Sequence, residues 1–308
     1  MLYAQVIVKQ RTQVQELTYA LSAQIVPYVK VGSLVLVPLR RKEVKGIVVG
    51  FTRSVPKEIK NNIREIIKLD KNTQVFSSSQ IELIHKLSSY YAAPLAEVAF
   101  HALDLPQIWP ETKKINLVKP LIMTGPWEQR RDAYERIIAK STGRVLLIFS
   151  QNSYAEDFYQ SVPVLIQKTI LRYEKEKSQK KLLTIISKLS VKAIIGTMGE
   201  VFFPLQSGDT IIIDQPYHVG AKSQLRPFMS SRQIGLLRGE IEGLHVVLGD
   251  SIVSPEDLLA VKEKKFRLVS SKLSYQPLSI VDRRGQTEAI APSLMEEIEA
   301  SISSKDKI

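Results

Sequence analysis

From Pro120 to Val281 short apolar runs alternate with helical stretches, and this alternation constrains the fold more than any other feature of the chain. The runs are 120–123, 144–149, 193–196, 210–214, 245–248, 266–269 and 278–281, and helical patterns occupy 128–139, 174–189, 231–241 and 255–262 between them. Strand and helix in alternation specify βαβ units, and so a parallel, doubly wound sheet. A nucleotide site in such a sheet is announced by a glycine-rich loop after a strand, whose backbone N–H groups close around phosphate, followed by Lys-Ser or Lys-Thr. Here the connection is Thr124-Gly125-Pro126-Trp127, with a single glycine, a proline that cannot donate, and a tryptophan. Gly220-Ala-Lys-Ser is no replacement, because its lysine does not directly follow glycine and no clear helix comes after it.

The first hundred residues follow another pattern. Leu2 to Val8 alternates, Leu34 to Leu39 is apolar, Val44 to Phe51 is rich in β-branched residues, and Ile63 to Leu69 is a further short strand candidate. Arg40-Arg41-Lys42 forms a basic hairpin tip between the second and third of these runs. Ser77-Ser78-Ser79 caps a helix whose apolar positions are Ile81, Ile84, Leu87 and Tyr91. The pattern predicts a small β-rich domain over 1–105, a proline-bearing linker over 106–119, and an α/β lobe over 120–308 with a frayed polar tail from Ser301.

Zero cysteines exclude disulfides and thiolate zinc clusters, and His85, His101, His218 and His245 lack metal-ligand spacing. No apolar run approaches the roughly 20 residues of a membrane span, and Met1 to Val8 lacks a signal pattern, so a cytoplasmic protein is expected. The net charge is +12. Up to Leu105 there are 14 basic and 8 acidic residues, and after it 29 and 23, so positive charge is about twice as dense in the first third. Such a surface attracts polyanions by counterion release, though many basic proteins merely stay soluble this way.

Several phrases carry a family resemblance. Gly32-Ser-Leu-Val-Leu-Val-Pro-Leu-Arg-Arg-Lys, Val44-Lys-Gly-Ile-Val-Val-Gly, Tyr90-Tyr-Ala-Ala-Pro-Leu-Ala-Glu-Val and His101-Ala-Leu stand in order over residues 3–106. They resemble the 3′-DNA-binding domain of the primosomal protein N′ (PriA) family of replication-restart helicases. Ile194-Ile-Gly-Thr, Val201-Phe-Phe-Pro-Leu, Thr210-Ile-Ile-Ile-Asp214 and Gly243-Leu-His-Val-Val-Leu-Gly249, with Pro227 and Arg232, resemble the first RecA-like lobe of the same helicases. The resemblance implies a DNA-binding module followed by an eroded, RecA-like lobe. It ends near where the family's second lobe begins, and the winged helix and cysteine-rich zinc element are not recognisable.

Laid against the family, Gly-Lys-Thr falls on Gln129, Arg130 and Arg131. A planar guanidinium is not a compact ammonium, and the lost threonine removes a magnesium ligand. Asp214 of the Asp-Glu box remains, but its glutamate is Gln215, which has no basicity near neutral pH. After Gly249 comes Asp250-Ser-Ile-Val in place of Ser-Ala-Thr-Pro. The expectation is therefore no bound ATP or magnesium, no zinc, and no unwinding. Trp127 is expected to plug the vacated pocket, and Asp214 to be a relic with local hydrogen bonds.

For DNA the resemblance implicates Leu17-Thr18-Tyr19, the basic tip Arg40, Arg41 and Lys42, and Arg64 before the helix. Tyr19 can stack on a base or contact the sugar, Thr18 can hydrogen-bond, and the arginines can meet phosphate or the terminal base. Tyr19 reads equally as a strand residue packed in the core, and the basic tip as a solvated turn. The implied partners are forked or 3′-ended DNA and other primosome proteins, with no membrane. Two other readings stay open: an ATPase subunit completed by a partner's lobe, and a non-catalytic protein-interaction module.

Overall fold

The computed structural model describes residues 2–9, 16–74, 76–102, 118–172, 191–270, 284 and 290–304. Residues 106–117 of the linker expected over 106–119, the helix over 174–189 and the strand over 278–281 lie outside the described residues. The chain divides into two compact units, Met1–Ser271 and Lys272–Ile308. In the second, helix Pro292–Ser304 includes Ser301 to Ser304, where a frayed tail was expected.

The first sheet is antiparallel. It contains β1 (Tyr3–Val8), β2 (Leu17–Ala20), β3 (Ser33–Leu39), β4 (Lys42–Thr52) and β5 (Lys68–Gln74), in the order β2-β1-β4-β3-β5. Alternation gives it two apolar faces. Ala4, Val6, Val8, Val35, Val37, Val44 and Val48 enclose one core with Tyr19 and Ile66. Ile7 and Ile47 point the other way, beneath α2 (Ser78–Tyr90) and α3 (Leu95–Ala102), which follow the short helix α1 (Lys57–Lys60) in the chain. The fifth strand begins later than the expected 63–69. Its residues Lys-Leu-Asp-Lys-Asn-Thr-Gln carry little apolar signal and are held by pairing to β3 through a register shift. Ser77 caps α2 in a capping box with Gln80.

Among the described residues the second sheet has seven strands, all parallel, as the alternation requires. They are β6 (Leu121–Thr124), β7 (Val145–Ile148), β8 (Ile170–Arg172), β9 (Ala193–Gly196), β10 (Thr210–Asp214), β11 (His245–Asp250) and β12 (Arg267–Ser270). Their order is β12-β6-β11-β10-β7-β9-β8. Helices α4 (Trp127–Lys140) and α5 (Asn152–Ser161) belong to this lobe, as do α6 (Ser231–Glu242) and α7 (Pro255–Lys262). The β8 strand and α5 were not expected. Three residues give no period, and the α5 sequence Asn-Ser-Tyr-Ala-Glu-Asp-Phe-Tyr-Gln-Ser buries only Phe158.

The two sheets share a core. One buried cluster runs from Ile7 and Ile47 through Ile84, Leu87 and Val98 to Ile234, Ile213 and Leu248. Where α2 meets α6, the Ser230 N–H donates to Tyr91 Oη at 2.9 Å and Lys86 pairs with Glu240 at 2.8 Å. Ser230 also caps α6, accepting from the Gln233 N–H, so the contact fixes a helix terminus.

Candidate nucleic-acid interface and a buried ion pair at the strand ends

The C-terminal ends of β6, β11 and β10 lie side by side, with Thr124 opposite Asp250 and Gly249 opposite Asp214. This is where an open parallel sheet places its ligands. Helix α4 rises from the turn after β6 and carries Arg130 and Tyr134 four residues apart, hence on one face. Both reach Asp214. The Arg130 Nε donates to Asp214 Oδ1 at 2.9 Å and an Nη to Oδ2 at 3.4 Å. The other Nη donates to the Gly125 carbonyl at 2.6 Å and lies 3.3 Å from Ser251 Oγ. The Tyr134 hydroxyl donates to Asp214 Oδ1 at 2.6 Å.

Arg130 is 2% exposed and Asp214 4%. A charge so far from water persists only when paired and hydrogen-bonded, and both conditions hold here. Burial acts to lower the Arg130 pKa, but the hydrogen bond and charge of Asp214 outweigh it and leave it raised. Burial, reinforced by the adjacent carboxylate, holds the Tyr134 hydroxyl well above its usual value, so it is a neutral donor. The surrounding backbone is occupied as well. The Gly125 N–H donates to Asp250 O at 3.1 Å, and the Gln215 N–H to Gly249 O at 2.7 Å. A Cβ on Gly249 would lie 1.6 Å from Tyr134 Oη, so this glycine leaves room for the tyrosine. Gln215 sits at φ 52° and accepts from Ser150 Oγ at 3.0 Å.

The group beside Asp214 is therefore Arg130, not Trp127. The indole packs edge-on against Phe149 and Phe158, with centroids 6.2 and 6.4 Å away, and the Arg130 guanidinium lies 5.7 Å from its centroid. Nor are Asp214's bonds local, since they cross from β10 to α4. Arg131 points elsewhere and pairs with its neighbour Asp132 at 2.7 Å. Tyr134 and Ser251 were missed by sequence reasoning; the spacing of Tyr134 four residues after Arg130 was the available signal for the first.

In the antiparallel domain three distant segments converge. The Ala20 N–H donates to the Arg64 carbonyl at 2.9 Å, which sets Arg64 beside the end of β2. An Arg64 Nη donates to the Arg40 carbonyl at 2.8 Å. The Tyr19 hydroxyl donates to the Pro38 carbonyl at 3.1 Å, close to the same turn. Burial raises the Tyr19 pKa, and the Arg64 charge pulls it partly back. Tyr19 is only 4% exposed, so its ring lies within the core and presents no free stacking face. Leu17 packs toward the same core, while Thr18 alternates to the opposite side of β2. Arg40, Arg41, Lys42 and Arg64 are exposed. Arg40 adopts φ 54°, a left-handed conformation that favours glycine.

Residues 5–104 match the family model of the PriA 3′ DNA-binding domain. Over 303 residues the chain is 24% identical to the replication restart protein PriA of Helicobacter pylori strain J99, covering 90% of this chain and 48% of the relative. The PriA of Rickettsia felis is 24% identical over 278 residues, which is 78% of this chain and 42% of that one. The chain is thus similar to PriA proteins over most of its length. It spans about half the length of these curated relatives. Chlamydia trachomatis PriA is 32% identical over 79 residues, 25% of this chain and 10% of the relative. Among solved structures, the C-terminal domain of the DEAD-box protein Dbp5 aligns with TM-score 0.36 and 10% identity, over 51% of this chain and 91% of that one. The UvsW helicase of bacteriophage T4 aligns with TM-score 0.33 and 10% identity, over 71% and 87%. No described helix is long and apolar enough to cross a membrane.

Proposed function

We propose that this PriA-like chain binds forked or 3′-ended DNA in replication restart and does not drive unwinding with ATP. The observation that carries the second part is the buried pair of Arg130 and Asp214. A triphosphate with its magnesium needs a compact cation, open backbone donors and a free carboxylate at this place. Here the carboxylate is held by Arg130 and Tyr134, the Gly125 N–H is engaged, and Pro126 has none to offer. The residues present do not fit the nucleotide. With Gln215 in place of the expected glutamate there is also no base to activate a water.

The first part is supported by the family match over 5–104 and by the exposed residues Arg40 and Arg64, which the bond from the Arg64 guanidinium to the Arg40 backbone carbonyl holds close together at the tip of β3 and β4. The α/β lobe then serves as a scaffold, or as a docking face for other primosome proteins, in the cytoplasm. The test has two arms. Titration of a labelled fork with a recessed 3′ end is expected to show binding that weakens with salt and with Arg64→Ala. ATP hydrolysis on the same fork is expected to stay at background; a rate above background that is lost on Asp214→Ala overturns the proposal.

A further inference from the structure

The helix-side face of the antiparallel sheet carries a bare row of lysines. On this face Ile7, Ile47 and Leu34 form one cross-strand row, with Ile47 opposite both of the others, packed into the cluster that includes α2 and α3. Two residues further along lies the next row. The Lys9 N–H donates to the Lys45 carbonyl at 3.0 Å, Lys45 stands opposite Leu36, and Leu36 stands opposite Lys68. Residues paired in this way share a face, about 4.8 Å apart per strand. All three lysines are exposed, and none has an acidic partner among the described residues. The Lys9 ammonium lies 5.8 Å from the Phe100 ring centroid on α3, marking the edge of the helical cover. Glu43 and Asp70, two positions along from Lys45 and Lys68, share the face but pair with neither. Like charges set opposite one another, as in Lys9 and Lys45, cost stability. They are relieved by an anion with repeating charge.

We infer that Lys9, Lys45 and Lys68 form a track for the sugar–phosphate backbone of duplex DNA, separate from the Arg40–Arg64 edge. The inference rests on the DNA-binding reading and adds where the duplex arm lies. The test compares the full chain with K9Q/K45Q/K68Q, with K68Q alone, and with a control of equal charge loss on the lobe, K140Q/K168Q/K262Q, all exposed positions. The probe is a fork with a recessed 3′ end, titrated across a salt series. The slope of log K against log salt should fall by about 0.9 per lost contact, so by about 2–3 in the triple variant, by about 1 in K68Q, and little in the control. A thermal melt checks folding, and the triple variant should melt no lower than the parent. An unchanged slope, or an equal fall in the control, overturns the track while leaving DNA binding intact. Failure of the parent to bind the fork overturns both.

Discussion

Arg130 holds Asp214 at 2.9 Å with both side chains almost excluded from water, at the place where a sheet of this kind presents its ligands. A buried pair adds little over a well-packed apolar pair, but removing one partner strands a charge. Arg130→Ala or Asp214→Ala alone should therefore destabilise the chain by about 3–5 kcal/mol. Arg130→Met with Asp214→Leu should recover most of that loss. Urea denaturation of the single and double variants gives the comparison, and equal losses in all three would count against a closed ion pair.

Gly249 and Tyr134 should be coupled. An alanine at 249 meets the tyrosine hydroxyl at 1.6 Å and its ring carbon at 2.9 Å, so Gly249→Ala alone forces α4 or β11 to shift. Tyr134→Phe removes the nearer atom. The double variant should be more stable than the sum of the two single losses implies, by about 1 kcal/mol. Additivity within error would show that the glycine is present for some other reason.

Stability should fall in alkali as the tyrosines of the unfolded chain ionise. Burial first of all pushes the Tyr217 hydroxyl up to about 12, although the bond from Ser254 and the Arg232 charge work against it. Tyr134 is raised well above its usual value as well. Between the ordinary tyrosine value of about 10 and these higher values, the unfolded chain has released protons that the native chain keeps. The unfolded state then binds fewer protons, so stability drops as pH rises. The urea midpoint should be lower at about pH 11 than at about pH 9, and Tyr217→Phe should flatten the difference.

How legible all this was in the sequence differs between the two sheets. Hydrophobic runs with clear ends, such as 193–196 and 210–214, became strands at those residues because a strand buried on both faces must be apolar throughout. Ile170–Arg172 carried too few residues to show a period, and Lys68–Gln74 is a polar edge strand defined by its partner. At the ends of β6, β10 and β11 the departures from the family pattern were visible as residue types, but which side chains would meet Asp214 was not. Trp127 is the bulkier side chain, yet Arg130 and Tyr134 close on Asp214 because helical spacing aims both at the strand end. The sequence marks Leu17 to Tyr19, the basic tip Arg40 to Lys42, and Arg64 as three separate segments, whereas their convergence depends on the bridge between Ala20 and Glu65, which no local pattern encodes.

The shared core makes a prediction about cooperativity. Leu87 on α2 is fully buried within the cluster that reaches into the parallel sheet. Leu87→Ala should cost about 2–5 kcal/mol. In a Trp109→Phe background, the Trp127 fluorescence transition and the far-ultraviolet circular dichroism transition should shift together. If Trp127, which sits on the far side of the parallel sheet, unfolds at an unchanged midpoint, the two sheets are energetically independent.

Arg40 should show a trade between stability and binding. Its left-handed φ of 54° costs a residue with a Cβ on the order of 1 kcal/mol, and glycine adopts it freely. Glycine also loses more freedom on folding, which offsets part of that gain. Arg40→Gly should thus leave the chain as stable as before or more stable by up to about 1 kcal/mol, and Arg64 keeps its bond because it is made to the backbone carbonyl. Fork binding, measured on the same preparation, should weaken and lose about one unit of salt slope if the guanidinium meets a phosphate. Unchanged affinity with raised stability would mean that the arginine at this turn is merely tolerated.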